Sequence, residues 1–158
     1  MLKLLSKENI KENWKRYKSE LETAFTSSEG SHFVTGKGSQ NIYKVIYKNL
    51  LNPFNTDMHL WIDDDDDYLL LTQIQFHEFT NKQTLVLFAL TRIKDVDSET
   101  ILKRWLDGMP IMTAFARNHN CDGIFGYTDL EYFSKIVKDL VEVTKQKIDT
   151  RYHFIFPL

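Results

Sequence analysis

The stretch MHLWIDDDDDYLLLTQIQFHEFTNKQTLVLFAL, residues 58–90, decides the fold of this 158-residue chain. It alternates three runs of aliphatic, aromatic and β-branched residues with two polar turns, which predicts a meander of three antiparallel strands. One turn is centred near Asp65, and the other lies at Asn81-Lys82, where asparagine tolerates the positive φ of a tight turn. The strands are expected at residues 58–62, 68–79 and 84–90.

Both faces of the first predicted hairpin are apolar. A turn near Asp65 sets Leu60 against Leu70 and Ile62 against Tyr68 on one face. On the opposite face the same register sets Trp61 beside Leu69 and His59 beside Leu71. Strands that are apolar on both faces are typical of a sheet covered on both sides, so the pattern predicts a layered α/β/α arrangement.

Two helices precede the meander. Residues 7–25 carry apolar residues at spacings of three and four, the pattern of an amphipathic helix, and Ser6 is placed to cap it. The apolar positions are Ile10, Trp14, Tyr17, Leu21 and Phe25. A loop rich in glycine and serine is expected over residues 27–39, followed by a short helix that Ser39 caps and Pro53 ends.

A long helix follows the meander. Asp97 or Ser98 is placed to cap it, and the helix is expected to end near Asn118. Pro110 removes one backbone donor, so we expect it to kink the helix or divide it in two.

The last third of the chain predicts a strand, a helix and a closing strand. The strand covers residues 123–127, and the Thr128-x-x-Glu131 spacing is a capping box that opens a helix. Residues 151–156 are aromatic and β-branched and predict the last strand. The core side of this helix would carry Phe133, Ile136, Val137 and Leu140.

The predicted order is therefore α-α-β-β-β-α-β-α-β, in a single domain over residues 1–158. This is an α/β (α+β) fold, a three-layer sandwich with a mixed, mostly antiparallel sheet of about five to six strands.

Charge and cysteine content narrow the function classes. Lys and Arg number 20 against 22 Asp and Glu, for a net charge of −2, which argues against a chain whose main task is to neutralise nucleic-acid phosphates or anionic lipid. The single Cys121 excludes an internal disulfide, and no apolar run reaches membrane-spanning length. The start of the chain is too short and too charged for a signal peptide, so a reduced, cytoplasmic setting is expected.

The order of elements resembles the GNAT-type N-acetyltransferase fold. More narrowly, the chain is similar to the small acetyltransferase-like proteins of tailed phages. The features that carry this similarity are Trp14, the Leu60-Trp61-Ile62 strand, and the junction 114–124, AFARNHNCDGI. The resemblance implies a virion or virion-associated protein, found in the virion or the host cytoplasm. Its partners would be other virion or host proteins, without sequence-specific nucleic-acid binding and without a membrane.

In acetyl-CoA-binding members of that family, an Arg/Gln-x-x-Gly-x-Gly/Ala loop lies before the long helix. Glycine is needed there because the pyrophosphate approaches backbone N–H groups closely. Residues 91–99 read TRIKDVDSE, without glycine and with carboxylates at Asp95, Asp97 and Glu99. We therefore assign no catalytic or cofactor-binding residue and no cofactor, and expect a catalytically silent domain.

The sequence leaves two alternatives open. One is an acyl-CoA-dependent N-acyltransferase, with acetyl-CoA as cofactor, in which the backbone of residues 87–91 holds the pantetheine arm. The other is a phage inhibitor that binds one host protein.

Other residues suggest chemistry less strongly. The run Asp63 to Asp67 has the ligand type for Ca²⁺ or Mg²⁺, but contiguous carboxylates point in several directions, so we expect a solvated turn or an acidic protein contact. The five histidines show no metal-ligand spacing, and no metal site is assigned. They are His32, His59, His77, His119 and His153.

Two further pairs and the aromatic residues complete the candidates. His77-Glu78 has the composition of a general base, and His119 with Cys121 that of a nucleophile, but surface and structural roles are expected. Tyr127 and Tyr132 lie near the position of a phenolic acid in active relatives, but no local motif secures the correspondence, and packing or surface roles are expected. The aromatic residues show no interleaved basic residues on a common face, which favours core and protein-contact roles.

Overall fold

The computed structural model describes residues 1–26, 39–54, 57–128, 142–145 and 152–157. These residues form three helices and seven strands, an α+β fold with a mixed sheet. The helices are α1 (Lys7–Thr26), α2 (Ser39–Leu51) and α3 (Ser98–Asn118). The strands are β1 (Leu2–Leu4), β2 (Met58–Asp63), β3 (Tyr68–His77), β4 (Lys82–Arg92), β5 (Gly123–Thr128), β6 (Glu142–Lys145) and β7 (Tyr152–Pro157).

The chain divides into two compact units, Met1–Thr72 with Ala89–Met109, and Gln73–Phe88 with Pro110–Leu158. In the first unit the hydrogen-bonded strand order is β1-β2-β3-β4, and β1 runs antiparallel to β2 with Leu2 opposite Asp63. In the second unit the order is β3-β4-β5-β7-β6. There β4 and β5 are parallel, whereas β7 is antiparallel to both β5 and β6.

The first unit buries both faces of its part of the sheet. Consecutive residues are buried over Leu60–Asp63 of β2 and over Tyr68–Thr72 of β3, so neither face is left in water. Helix α1 buries the apolar positions Ile10, Tyr17, Leu21 and Phe25 that its sequence pattern predicted. Among the described residues, no helix is long and apolar enough to cross a membrane.

The helix ends follow from local hydrogen bonds. The backbone N–H of Asn9 donates to the Ser6 hydroxyl at 3.2 Å, which confirms Ser6 as the cap of α1. Helix α3 ends where Asn120 adopts a φ of 54° and the Cys121 N–H donates to the Ala116 carbonyl at 2.9 Å. Helix α3 is continuous through Pro110, so of the two predicted effects, a kink or a division, the division is wrong. Helix α3 connects β4 to β5 in the chain. These two strands are parallel, and a parallel pair needs a crossover connection of this kind.

The predicted register of the first hairpin is wrong, because it places Trp61 and Thr72 on opposite faces. The turn near Asp65 would leave five residues between Ile62 and Tyr68, but β2 extends to Asp63 and four residues separate the strands. The Trp61 indole N–H donates to the Thr72 hydroxyl at 2.9 Å, which requires these side chains on one face, whereas the prediction set Trp61 beside Leu69. A shift of one residue exchanges the faces, and here both faces are apolar, so the pattern carries no register signal.

The other boundaries differ by small amounts. Strand β3 ends at His77 rather than residue 79, and the second turn occupies residues 78–81, with Asn81 at the predicted positive φ and Lys82 already in β4. Strands β1 and β6 were not predicted, because three or four residues are too few to show alternation. The predicted loop over 27–39 and the helix opened by Thr128-x-x-Glu131 fall largely outside the described residues.

The Trp61–Thr72 hydrogen bond predicts a stability effect that depends on the register. Thr72→Val removes the hydroxyl acceptor of a buried indole N–H without changing side-chain shape, and we expect a loss of about 1–3 kcal/mol in the free energy of unfolding. Urea unfolding followed by circular dichroism measures it. Thr84→Val is the matched control, since the Thr84 hydroxyl bonds His77 at an exposed site. An equal, small effect in both variants would favour the register with Trp61 beside Leu69.

Candidate functional site

The five aspartates form a structured loop between β2 and β3, which we call the aspartate loop (residues 63–67). Asp63 and Asp67 are each only 4% exposed. The Asp63 carboxylate accepts the backbone N–H of Asp67 at 2.6 Å and that of Tyr68 at 3.2 Å. Asp66 has a φ of 55°, a conformation that aspartate adopts more readily than most residues. The expectation of a solvated turn is therefore wrong for the two ends of the loop.

The aspartates at odd positions converge on one guanidinium. Arg104 Nη1 of α3 lies 3.5 Å from Asp63 Oδ2 and 3.0 Å from Asp65 Oδ2, and it also contacts Asp67. Lys94 Nζ lies 3.5 Å from Asp67 Oδ1 and donates to the Asp65 carbonyl. Two cations thus face three carboxylates, which explains how Asp63 and Asp67 remain buried.

The aspartates at even positions face other basic groups. Arg16 of α1 donates to Asp66 at 3.1 Å, and Asp64 contacts Lys3 and lies 3.1 Å from the Met1 amino group. The hydrogen bond from Lys3, followed by that from the Met1 amino group, holds the pKa of Asp64 below its usual value of 3.8. Alternate residues of the loop are therefore held by different elements of the first unit.

The ligand set suits a divalent cation only in part. Carboxylate oxygens of Asp63, Asp65 and Asp67 lie within 4.8 Å of one another, and Mg²⁺ and Ca²⁺ prefer such oxygens. However, Arg104 contacts all three carboxylates and supplies the positive charge at their centre. The geometry is that of an intramolecular ion-pair network rather than a metal cage.

The segment 91–97 is tied to the same network and closes the start of α3. The Ile93 N–H donates to the Asp67 carbonyl at 2.8 Å, and Arg92 Nη1 donates to the Val96 carbonyl at 2.9 Å. The Asp97 carboxylate accepts the Thr100 hydroxyl at 2.6 Å and its backbone N–H at 2.8 Å. These bonds hold the pKa of Asp97 below its usual value. Asp97 is thus the cap of α3, and its negative charge lies at the helix end that attracts anions.

The pair His119 and Cys121 belongs to the second unit and makes structural contacts. Cys121 is 7% exposed, its thiol lies 3.9 Å from the His119 carbonyl, and burial raises the pKa of the thiol. The His119 ring stacks on Phe115 at 4.1 Å, and its Nδ1 lies 2.9 Å from the Phe115 carbonyl. A buried thiol with a raised pKa is a poor nucleophile, so the arrangement favours the structural role.

The remaining candidates are dispersed. His59 lies within β2, and His77 ends β3 with Nε2 3.0 Å from the Thr84 hydroxyl, beside exposed Glu78. Tyr127 lies in β5 opposite His153 of β7. His32 and Tyr132 fall outside the described residues.

Sequence reasoning missed the partners of the aspartate loop. Arg104 follows Ile101 by three residues and precedes the buried Trp105, so it borders the apolar face of α3 rather than its solvent face. A basic residue beside an apolar stripe is a signal for a partly buried ion pair. The sequence showed both the acidic run and this arginine, but nothing in it joined the two.

Removal of Arg104 tests the network. Arg104→Ala leaves Asp63 and Asp67 buried without their main counter-charge, and we expect a loss of about 3 kcal/mol in the free energy of unfolding. Lys103→Ala, the exposed neighbour on the same helix, is the control, with an expected change within about 0.5 kcal/mol. Urea unfolding measures both, and equal stabilities for the two variants would contradict the network.

The lowered pKa of Asp64 predicts how the free energy of unfolding changes with pH. Its pKa is lower in the folded than in the unfolded chain, so its stabilising contribution is present above pH 3.8 and is lost as pH falls through the folded pKa. The destabilisation caused by Asp64→Asn should therefore be largest near neutral pH and vanish in acid. Urea midpoints across this range measure it, and Asp95→Asn, which removes an equal charge outside the network, is the control. A difference that grows as pH falls would exclude this sign.

No protein-family model matches the chain, and no curated protein matches it.

Proposed function

We propose that the chain is a catalytically silent domain of GNAT-like architecture that acts through protein contacts, as a virion or virion-associated protein of a tailed phage. The order of elements supports the architecture: two helices, a three-stranded meander, a long helix, and a strand parallel to the last strand of the meander. The burial of consecutive residues along β2 and β3 supports a sheet covered on both faces.

The capped N-terminus of α3 is the observation that supports the lack of catalytic activity. A nucleotide-linked thioester needs free N–H groups for its pyrophosphate at the end of a helix, and glycine to let it approach. Here the Thr100 N–H is already bound to the Asp97 carboxylate, and residues 91–99 contain no glycine. A phosphate group at this position would find the Thr100 N–H already bonded, and the negative charge of Asp97 would repel it.

The neighbouring cations are also engaged. Arg92 and Lys94 are the basic residues of the segment 91–99 that would offset phosphate charge. Arg92 donates to the Val96 carbonyl, and Lys94 contacts Asp67 and the Asp65 carbonyl. Redirecting Lys94 to a phosphate would weaken the network around buried Asp67, which adds a cost to cofactor binding.

Exposed apolar side chains support a role in protein contacts. Phe79, in the turn between β3 and β4, is fully exposed, and Phe76 of β3 is 57% exposed. In the first unit, Phe54 directly after α2 is 93% exposed. Aromatic side chains are enriched in protein interfaces relative to the rest of the surface.

Coenzyme A binding tests catalytic silence. A ligand at a hundred times its dissociation constant stabilises the native state by about 2.7 kcal/mol, so binding would raise the melting temperature by several degrees. We expect no shift with coenzyme A or acetyl-CoA at millimolar concentration, measured by differential scanning fluorimetry. A catalytically active acetyltransferase run in parallel is the positive control. A concentration-dependent shift, or acetyl transfer to an amine, would establish the acyltransferase alternative instead.

Mass spectrometry of purified phage particles tests the location. We expect peptides of this chain at constant stoichiometry through density-gradient purification. Absence from particles, together with capture of a single host protein from infected-cell lysate, would favour the host-directed inhibitor.

A further inference from the structure

Helices α1 and α2 pack through two aromatic pairs, one of which is only partly covered. The rings of Trp14 and Tyr47 lie 4.7 Å apart at an angle of 37°, and those of Phe25 and Tyr43 lie 6.1 Å apart. Phe25 and Tyr43 are buried, whereas Trp14 and Tyr47 are half-buried. Part of the Trp14–Tyr47 pair therefore remains accessible to solvent on the surface shared by the two helices.

Lysines border this pair on both helices. Lys7, Lys11, Lys15 and Lys18 follow one another along α1 at spacings of four, four and three residues, which places them in one row. Trp14 lies three residues after Lys11 and four before Lys18, so it adjoins the row. On α2, Lys44 and Lys48 form a second row beside Tyr47. We call the surface formed by these six lysines with Trp14 and Tyr47 the basic aromatic face.

Positive charge predominates on this face. Helix α2 contains no aspartate or glutamate. On α1, Glu22 pairs with Lys18 at 3.2 Å, and Glu8 and Glu12 lie three residues before Lys11 and Lys15, beside the same row, so six lysines face three glutamates. The Lys18 ammonium also lies 5.7 Å from the Tyr43 ring. The spacing of Lys11, Trp14 and Lys18 is visible in the sequence, so the expectation that no basic residues interleave with the aromatic residues is wrong on α1. Only the addition of the α2 lysines depends on packing.

We propose that the basic aromatic face binds single-stranded nucleic acid without sequence preference. Lysine ammonium groups in a row neutralise successive phosphates, and accessible aromatic rings between the rows offer a surface on which bases stack. An acidic protein segment would use the lysines but leave the rings without a matching partner. The combination of both features therefore favours the nucleic acid. The proposal is independent of coenzyme A binding and of the virion location.

Tryptophan fluorescence provides a local readout. Trp61 and Trp105 are 2% and 3% exposed, whereas Trp14 is half-buried on the proposed face. Titration with oligo(dT) of twenty nucleotides should quench the emission of Trp14 and raise the anisotropy of a labelled strand. We expect a dissociation constant of about 1–100 µM near physiological salt, as for sequence-independent binding, and marked weakening with added salt.

Matched charge reversals locate the binding. Lys11→Glu with Lys44→Glu should weaken oligo(dT) binding at least tenfold, whereas Lys82→Glu with Lys103→Glu changes net charge equally at exposed positions outside the face. Circular dichroism checks that both variants fold. Equal loss in the two double variants, or no binding at low salt, would overturn the proposal. Poly-glutamate bound as tightly as oligo(dT) by the natural chain would also overturn it, in favour of an acidic protein partner.

Discussion

The burial of two carboxylates at the ends of one loop constrains the first unit. Asp63 and Asp67 are almost inaccessible to water, and a buried carboxylate is tolerated only with hydrogen bonds and opposite charge. The backbone N–H groups of Asp67 and Tyr68 donate hydrogen bonds to the Asp63 carboxylate. Arg104 of α3 supplies the opposite charge to both Asp63 and Asp67. Helix α3 must therefore pass close to the loop. One turn further on, Gly108 permits that approach, since a Cβ there would lie 3.3 Å from Leu2 Cβ and from the Tyr68 hydroxyl.

The same constraint bears on the start of α3. Lys94 is drawn to Asp67, and the Ile93 N–H is bonded to the Asp67 carbonyl, so the segment before the helix is held against the aspartate loop. The helix then begins at a cap of its own, Asp97. In a fold that binds a nucleotide-linked cofactor, this segment would curve around a pyrophosphate and direct its cations toward it. In this chain its lysine balances a buried aspartate instead. The structural role of the aspartate loop and the proposed lack of cofactor binding thus share one cause, the engagement of Lys94 with Asp67.

The sequence predicts the helices and the long strands well, because each carries many residues with one period. Helix α1 was predicted to within one residue of its end, and its cap at Ser6 is confirmed. The hairpin register was not predictable, since an apolar residue on either face satisfies the same burial. The aspartate loop was misjudged for a different reason: a run of like charge is usually solvated, and only tertiary packing reveals that Arg104, Lys94 and Arg16 surround it. Local patterns identify elements, whereas the partners of charged groups depend on residues distant in sequence.

Net charge is a poor guide to the surface of this chain for the same reason. The value of −2 sums acidic and basic groups that the fold separates. Arg16, Lys94 and Arg104 are consumed at the aspartate loop, where they offset a concentrated negative charge. The lysines of α1 and α2 outnumber the glutamates beside them, so their field is only partly cancelled locally. Because salt screens charges beyond about 8–10 Å, an approaching polyanion responds to that face and not to the average over the molecule. A slightly acidic chain can in this way present a basic surface, and the position of each cation relative to its nearest carboxylate decides where.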